Sequence, residues 1–135
     1  MADYFDTSAL VKLVIAEPET YALRTWIADR GDVPAATSDL ARTELLRAVR
    51  RGAPELVGRA REVLESLTIL ALRPALFMTA GRLDPAELRS LDALHLASAL
   101  DLGDDLDYVV TYDDRLAAVA HLHGLAVAHP GVDDG

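Results

Sequence analysis

Apolar residues occur along the chain in short runs that alternate between the spacing of strands and the spacing of helices. Five short apolar runs predict strands, at residues 2–5, 33–37, 68–72, 107–111 and 125–128. Between them, apolar positions repeated every three or four residues predict helices, at residues 9–16, 19–30, 40–51, 54–67, 74–82, 91–102 and 113–123. Because strands and helices alternate, we expect an α/β fold with a central parallel sheet and helices on both of its faces.

Local signals mark where some of these elements begin and what surrounds them. Thr7 or Ser8 is placed to cap the first helix, and Ser90 is placed to cap the helix near residue 91. Residues 83–88 predict a turn or irregular segment because a proline lies among them. The run at residues 68–72 is apolar enough to predict a buried strand.

Length and composition indicate one globular domain over residues 1–135, with a frayed tail over residues 129–135. Hydrophobic residues make up 51% of the chain. No apolar run approaches the ~20 residues of a membrane helix, and the N-terminus lacks the basic start of a secretory signal. Cysteine is absent, which excludes disulfides, thiol chemistry and cysteine-bound metals. We therefore expect a cytoplasmic protein that makes no contact with a membrane.

The charge distribution sets one segment apart from the rest of the chain. A formal net charge of −9 argues against binding of nucleic acid over the whole surface. Residues 42–61 nevertheless contain six arginines, namely Arg42, Arg47, Arg50, Arg51, Arg59 and Arg61. These arginines could bind the phosphates of a nucleic acid, or they could form salt bridges on a solvated helix face. The sequence favours neither interpretation.

Carboxylates follow the predicted strands at positions that could bring them together. Asp6 follows the first strand directly, and Asp113 and Asp114 follow the strand over residues 107–111. Glu44 lies about one turn into the helix after the second strand, and Asp92 lies in the first turn of its helix. Ligands of an open parallel sheet bind outside the carboxyl ends of its strands. We therefore expect these acids to meet at one edge of the sheet.

Each acid also has an ordinary structural interpretation. Asp6, Asp92 and Asp113 could simply cap helices, and Glu44 could be a solvated helix residue. Taken together, however, gathered carboxylates repel one another unless a cation joins them, and an all-oxygen site suits Mg²⁺ or Mn²⁺. His95 lies one turn after Asp92 and could approach the site, although a packed core histidine is the more ordinary interpretation.

Four segments in order resemble a known family. They are DTSALVK at residues 6–12, TELLRA at residues 43–48, LDALHLA at residues 91–97 and VTYD at residues 110–113. Together they resemble the PIN domain and, more narrowly, the ribonuclease toxins of VapBC toxin–antitoxin systems. The resemblance spans almost the whole chain, and each segment falls at the end or start of a predicted element.

The resemblance implies a fold, an activity and a set of site residues. The fold would be a three-layer α/β/α sandwich, and the activity that of an endoribonuclease dependent on Mg²⁺ or Mn²⁺. The catalytic and metal-binding acids would be Asp6, Glu44, Asp92 and Asp113. Supporting residues beside them would be Ser8, Thr111 and Asp114. The partners would be RNA, a VapB-like antitoxin and a second copy of the chain in a homodimer.

This activity predicts a mechanism and a role for the basic segment. Water attacking in line would leave a 5′-phosphate and a 3′-hydroxyl. The arginines that we expect to contact RNA phosphates are Arg42, Arg47, Arg50 and Arg51. We also expect the antitoxin to cover apolar residues of the first helix and of the helix over residues 54–67, including Leu10, Val14, Val57 and Leu64, unless these close the core or a dimer interface.

Three alternatives remain to be compared with this interpretation. A phosphatase with an aspartate nucleophile needs Asp-x-Asp after the first strand, whereas Asp3 and Asp6 are three residues apart. A receiver domain needs a lysine after a late strand, but the sole lysine, Lys12, lies in the first predicted helix. A catalytically inactive PIN-like module that binds RNA or protein would have lost one or more of the four acids, all of which are present.

Overall fold

Five parallel strands form a single sheet in a computed structural model that describes residues 1–133. The strands are β1 (Ala2–Phe5), β2 (Ala35–Ser38), β3 (Thr68–Leu70), β4 (Leu106–Val110) and β5 (Val127–Ala128). The helices are α1 (Thr7–Val14), α2 (Thr20–Asp29), α3 (Leu40–Gly52), α4 (Val57–Glu65), α5 (Pro74–Gly81), α6 (Ser90–Asp101) and α7 (Asp114–Leu122). Short 3₁₀ turns at Pro54–Leu56 and Gly103–Asp105 precede α4 and β4.

The strand order β3-β2-β1-β4-β5 explains how the layers arise. Side chains of successive strand residues point to opposite faces of the sheet. Phe5 and Val110 accordingly pack in one core cluster with α1 to α4, whereas Tyr4 and Val109 pack in another with Ala99 of α6. The predicted three-layer α/β/α sandwich with a central parallel sheet is therefore confirmed.

The order of the strands also indicates where a ligand would bind. The chain builds outward from β1 through β2 to β3, then returns to place β4 and β5 on the other side of β1. The direction of winding thus reverses between β1 and β4. In folds of this kind a crevice opens at the carboxyl ends of the two strands that flank the reversal. The acids after β1 and β4 lie at this crevice.

Some local predictions differ from the structure. Asp6, and not Thr7 or Ser8, caps α1, since its side chain accepts a hydrogen bond from the backbone N–H three residues later. The helix α6 includes Ser90, and no side chain caps its first turn. The strand predicted as buried over residues 68–72 ends at residue 70 and is only partly buried, because β3 pairs with β2 alone and forms an edge of the sheet.

The predicted frayed tail begins with an ordered turn in the part of the chain that the structure describes. The Tyr112 hydroxyl donates a hydrogen bond to the backbone carbonyl of Pro130 at 2.7 Å. The backbone N–H of Val132 donates to the carbonyl of His129 at 3.1 Å. Residues 134 and 135, the end of the predicted tail, lie outside the described residues.

An ion pair holds the amino ends of β1 and β4 together. The buried carboxylate of Asp3 accepts two hydrogen bonds from the Arg30 guanidinium, at 2.9 and 3.0 Å. The same guanidinium donates to Asp107 at 2.7 Å and lies over the rings of Trp26 and Tyr108. Such bidentate, partly buried pairing compensates the cost of placing a carboxylate in the core.

Candidate active site

Asp6 is the most buried acid of the candidate site, because it leaves the central strand β1 and begins α1. Its Oδ1 accepts hydrogen bonds from the Ser8 hydroxyl at 2.6 Å and from the Ala9 backbone N–H at 3.2 Å. Its Oδ2 accepts one from the Thr111 hydroxyl at 2.7 Å. Burial raises the pKa of Asp6, and the hydrogen bonds from Ser8 and Thr111 offset only part of that increase.

Ser8 and Thr111 connect the ends of β1 and β4 around this carboxylate. The Ser8 hydroxyl also accepts a hydrogen bond from the Tyr112 backbone N–H at 2.9 Å. The Thr111 hydroxyl accepts one from the Asp113 backbone N–H at 3.0 Å. Each hydroxyl therefore donates to Asp6 and accepts from the segment that carries Asp113. The two acids from distant parts of the sequence are positioned by one shared network.

Asp113 is the cap of α7, and its position follows from the end of β4. Its Oδ1 accepts hydrogen bonds from the backbone N–H groups of Arg115 at 2.9 Å and of Leu116 at 3.2 Å. Asp114, which the sequence offers as an alternative to Asp113, is an exposed residue of the first turn of α7. Asp113 is therefore the acid that the backbone of this segment holds in place.

Glu44 projects from α3 and is fixed through one of its two carboxylate oxygens. Its Oε1 accepts a hydrogen bond from the Thr7 hydroxyl at 2.7 Å and lies 2.6 Å from Nε2 of His95. Because an ionised carboxylate only accepts, Nε2 carries the proton of this contact. Partial burial alone would raise the pKa of Glu44, but the contacts with His95 and Thr7 bring it below its usual value.

Asp92 lies in the first turn of α6, and its carboxylate accepts no hydrogen bond from the described residues. Burial raises the pKa of Asp92, and the negative charges of Asp113 and Glu44 raise it further. The charges of His95 and Arg89 act in the opposite direction without cancelling this increase. Three predicted acids thus interact electrostatically at Asp92.

The chemistry of this donor set fits a hard divalent cation, although the side chains are not gathered as a finished metal site. Among the residues described, no three His, Cys, Asp or Glu side chains lie close enough together to hold a metal ion. Four carboxylate oxygens of this group accept no hydrogen bond from the described residues: Oε2 of Glu44, Oδ2 of Asp113, and Oδ1 and Oδ2 of Asp92. No lysine or arginine there forms an ion pair with the four acids.

The predicted RNA-contacting arginines lie on the exposed surface of α3, the helix that also carries Glu44. Arg47, Arg50 and Arg51 line a shallow depression of about 230 Å³. Arg42 is paired with Asp39 at 3.0 Å. The three arginines of the depression form no such ion pair among the described residues, so their charge is available to a ligand.

Three side chains of this site were missed or discounted by the sequence prediction. The sequence predicts Thr7 only as a possible helix cap, places Tyr4 only within the first strand, and favours a packed core position for His95, although it also indicates that His95 could approach the site. In the structure the Tyr4 hydroxyl lies 2.8 Å from Nδ1 of His95, which contacts Glu44 through its other ring nitrogen. The available signal was a histidine in a helix of otherwise small or apolar residues, one turn after Asp92.

One cavity is separate from the four acids, none of which lines it. It has a volume of about 480 Å³ and lies between α5, the first half of α6 and the irregular segment over residues 83–88. Phe77 and Leu88 line it, and the neighbouring side chains of Met78 and Leu91 are exposed.

None of the helices that the structure describes is both long and apolar enough to cross a membrane.

Comparison with known proteins supports a single family. Residues 4–122 match the PIN domain family. The chain is 48% identical to Ribonuclease VapC47 of Mycobacterium tuberculosis over 132 residues, which cover 95% of this chain and 96% of that protein. It is 43% identical to Ribonuclease VapC46 of the same species over 129 residues, or 96% of this chain and 98% of that one.

Solved structures agree with this match at the level of the fold. The crystal structure of Mycobacterium tuberculosis VapC20, described as a sarcin–ricin loop cleaving toxin, superposes with a TM-score of 0.77 at 17% identity. The superposition covers 96% of this chain and 100% of the VapC20 chain. Rickettsia felis VapBC2, bound to a DNA fragment from its promoter, gives a TM-score of 0.69 at 16% identity over 95% of this chain and 98% of that one.

Proposed function

The chain belongs to the PIN domain family, and on that basis we propose that it is a VapC-type endoribonuclease, the toxin of a toxin–antitoxin pair. The observation that carries the proposal is that hydrogen bonds and electrostatic interactions link the four acids of the family pattern around the carboxyl ends of β1 and β4. Asp6 and Asp113 share one hydrogen-bond network, while Asp92 experiences the charges of Asp113 and Glu44.

We assign Mg²⁺ or Mn²⁺ to these acids as the cofactor. Asp6, Asp92 and Asp113 are its proposed ligands, with Glu44 as a further ligand or as the group that orients the attacking water. When bound, the cation would supply positive charge against the scissile phosphate and lower the pKa of water. The support for this assignment is the presence of hard oxygen donors that no lysine or arginine among the described residues pairs with.

The chain's own residues have separate tasks in this reaction. Ser8 and Thr111 hold the Asp6 carboxylate so that its charge stays directed at the crevice. Glu44 has one oxygen occupied by Thr7 and His95, so its Oε2 is the atom that can accept a proton from water. Attack by water in line would leave a 5′-phosphate and a 3′-hydroxyl on the two RNA fragments.

RNA cleavage under defined metal conditions tests this function. We expect cleavage with Mg²⁺ or Mn²⁺, none with EDTA, and a loss of about 100-fold or more in Asp92→Asn. Product ends are checked by ligation or labelling that requires a 5′-phosphate. A folded wild-type protein that binds RNA but never cleaves it would instead support the inactive PIN-like binding module.

The RNA would reach the acids along the exposed arginines of α3. Arg47, Arg50 and Arg51 form no ion pair with the other described residues, and they lie on the helix that carries Glu44. Arg42 lies nearer the start of the same helix. Each arginine that contacts a phosphate releases counterions, so its loss reduces the salt dependence of binding. Arg50→Gln is therefore expected to weaken RNA binding with little change in the rate of cleavage at saturating RNA.

The antitoxin is the proposed partner of the apolar surface around α1 and α4. Leu10, Val14 and Leu64 belong to the core and are not available to it. Val57 remains half-buried beside Leu46 in a groove whose rim is basic, since Arg42, Arg47, Arg50 and Arg61 also line it. An amphipathic antitoxin segment could cover this groove and place a basic side chain against the acids.

Substitution at the groove separates the partner surface from the core. Val57→Glu is expected to weaken inhibition by the antitoxin more than it weakens RNA cleavage, whereas Val14→Glu should damage the core and both activities together. Equal loss of inhibition and cleavage in Val57→Glu would indicate damage to the core, and unchanged inhibition would place the partner surface elsewhere.

A homodimer is proposed on the opposite face of the sheet. Phe77, Met78 and Leu91 of α5 and α6 are about half exposed or more, and Phe77 lines the cavity between these helices. An exposed apolar patch of this kind is typical of an interface between subunits. Analytical ultracentrifugation of the wild type and Phe77→Glu tests it, since the substitution should convert a dimer into a monomer.

A further inference from the structure

A chain of hydrogen-bonded side chains runs from the centre of the sheet to Glu44. The Tyr4 hydroxyl of β1 lies 2.8 Å from Nδ1 of His95 in α6. Nε2 of the same ring lies 2.6 Å from Oε1 of Glu44 in α3. The chain therefore joins residues that are 91 and 51 positions apart in sequence, and it crosses from one helical layer to the other.

Tyr4 and His95 are both buried, and each forms hydrogen bonds within this chain of side chains. Tyr4 is 0% exposed and His95 is 3% exposed. Their rings also pack edge to face, with centroids 5.9 Å apart at an angle of 71°. Around His95, the helix α6 otherwise presents buried apolar residues such as Leu94 and Leu96. A phenylalanine or leucine would fill such a space without burying polar atoms, so the core alone does not require a histidine here.

The position of Glu44 gives these polar groups a task. A glutamate side chain has three rotatable bonds and loses much freedom when it is fixed. Here Thr7 and His95 both donate to Oε1, which leaves Oε2 as the oxygen without a hydrogen bond from the described residues. The donors thus select one orientation of the carboxylate, in which one oxygen is held and the other is available.

We propose that Tyr4 and His95 are positioning residues that hold the Glu44 carboxylate in the orientation its role in RNA cleavage requires. This inference rests on the proposed endoribonuclease function and adds two residues to it. His95 acts on Glu44 directly, and Tyr4 acts through His95. Because Nε2 carries the proton donated to Glu44, Nδ1 of the neutral ring accepts a hydrogen bond from the Tyr4 hydroxyl, and this contact fixes the orientation of the ring.

Variants that remove or keep the donor at His95 test the proposal. His95→Leu removes the contact, whereas His95→Gln can place an amide N–H where Nε2 lies. We expect His95→Leu to lower kcat for RNA cleavage about 10- to 100-fold with little change in KM, the usual cost of losing such a supporting partner. His95→Gln should restore a substantial part of kcat, and Tyr4→Phe should give a smaller loss than His95→Leu.

Binding of Mn²⁺, measured by calorimetry without RNA, supplies a readout that does not depend on activity. His95→Leu should weaken Mn²⁺ binding, and the double variant Tyr4→Phe/His95→Leu should bind no more weakly than His95→Leu, because both residues act through one contact. The matched control is Thr20→Val, which removes a buried hydrogen bond to the Lys12 carbonyl, with no contact to any of the four acids. It should lower the melting temperature and leave kcat and Mn²⁺ affinity unchanged.

The outcomes separate this proposal from the function on which it rests. If the wild type does not cleave RNA, the function fails, and unchanged Mn²⁺ affinity in His95→Leu would overturn the positioning role independently. If the wild type cleaves and folded His95→Leu keeps its kcat and Mn²⁺ affinity, only the positioning role is overturned. Should His95→Leu fail to fold, Tyr4→Phe decides, since a kcat equal to that of the wild type would contradict the proposal.

Discussion

Carboxylates lie at both the amino and the carboxyl ends of strands β1 and β4, but the groups that bind these carboxylates differ between the two ends. At the amino ends, Asp3 and Asp107 share the guanidinium of Arg30 at 2.7 to 3.0 Å. At the carboxyl ends, the Asp6 carboxylate accepts a hydrogen bond from the neutral hydroxyl of Thr111, and the Asp113 carboxylate accepts two from backbone N–H groups. The fold therefore pairs the acids at one end of its central strands with an arginine, and it holds Asp6 and Asp113 at the other end through neutral donors.

This difference supports the proposed cation at the carboxyl end. Hydroxyl and amide donors can orient a carboxylate, but they leave its charge in place. At the crevice that charge accumulates, since the pKa of Asp92 is raised by burial and then by the charges of Asp113 and Glu44. An added cation would do at this end what Arg30 does at the other. The amino end thus contains its own cation, whereas we propose that the carboxyl end binds one from solution.

Matched substitutions at the two ends of β4 should give the largest difference. Asp113→Asn removes a proposed ligand just after the strand, and we expect RNA cleavage to fall by about 100-fold or more. Asp107→Asn removes a carboxylate at the start of the same strand, and we expect cleavage to stay within about twofold. Single-turnover rates at saturating Mn²⁺ measure both. Equal losses in the two variants would show that the ends do not differ in function.

Removing the built-in cation should destabilise the amino end. Arg30→Met keeps the apolar stem over Trp26 and Tyr108 but leaves the buried Asp3 carboxylate without its partner. Loss of one member of a buried pair costs roughly 3–5 kcal/mol, and about 2–3 kcal/mol is expected here because Arg30 is partly exposed. Urea denaturation measures the change. An unaltered midpoint would mean that the ion pair contributes nothing to stability.

The opposite sign is expected for a charge removed at the carboxyl end. Without divalent metal, Asp92→Asn relieves the repulsion from Asp113 and Glu44 and should stabilise the protein by about 0.5–1 kcal/mol. The substitution removes no hydrogen bond, since the Asp92 carboxylate accepts none from the described residues. A lower melting temperature for this variant in EDTA would indicate that Asp92 is a structural residue and would remove the contrast between the two ends.

The sequence predicted much of this arrangement, for reasons that particular residues make clear. Asp6 and Asp113 could be found because each follows an apolar strand, and parallel strands bring such positions to one edge. The contact of His95 with Glu44 could not, since it depends on which helix crosses the crevice, and periodicity within one helix does not report that. The pairing of Arg30 with Asp3 and Asp107 was missed for the same reason.

Helix boundaries show a second limit of the sequence. Thr7, Ser8 and Ser90 are all good capping residues, yet Asp6 caps α1, and α6 begins without a side-chain cap. Capping preferences rank residue types, whereas the point at which a strand ends decides which residue occupies the cap. The Ser8 hydroxyl instead donates a hydrogen bond to Asp6 and accepts one from the Tyr112 backbone N–H.

Calorimetric titration with Mn²⁺, at a fixed high concentration of potassium chloride, is the most direct test of a cation site at the carboxyl ends of β1 and β4. We expect the wild type and Asp107→Asn to bind Mn²⁺ equally. Asp92→Asn should bind about tenfold more weakly or worse, and Glu44→Gln should lose less than Asp92→Asn. Affinities that are the same in the wild type and Asp92→Asn, or no binding beyond the effect of salt, would contradict a cation site at the carboxyl ends of β1 and β4.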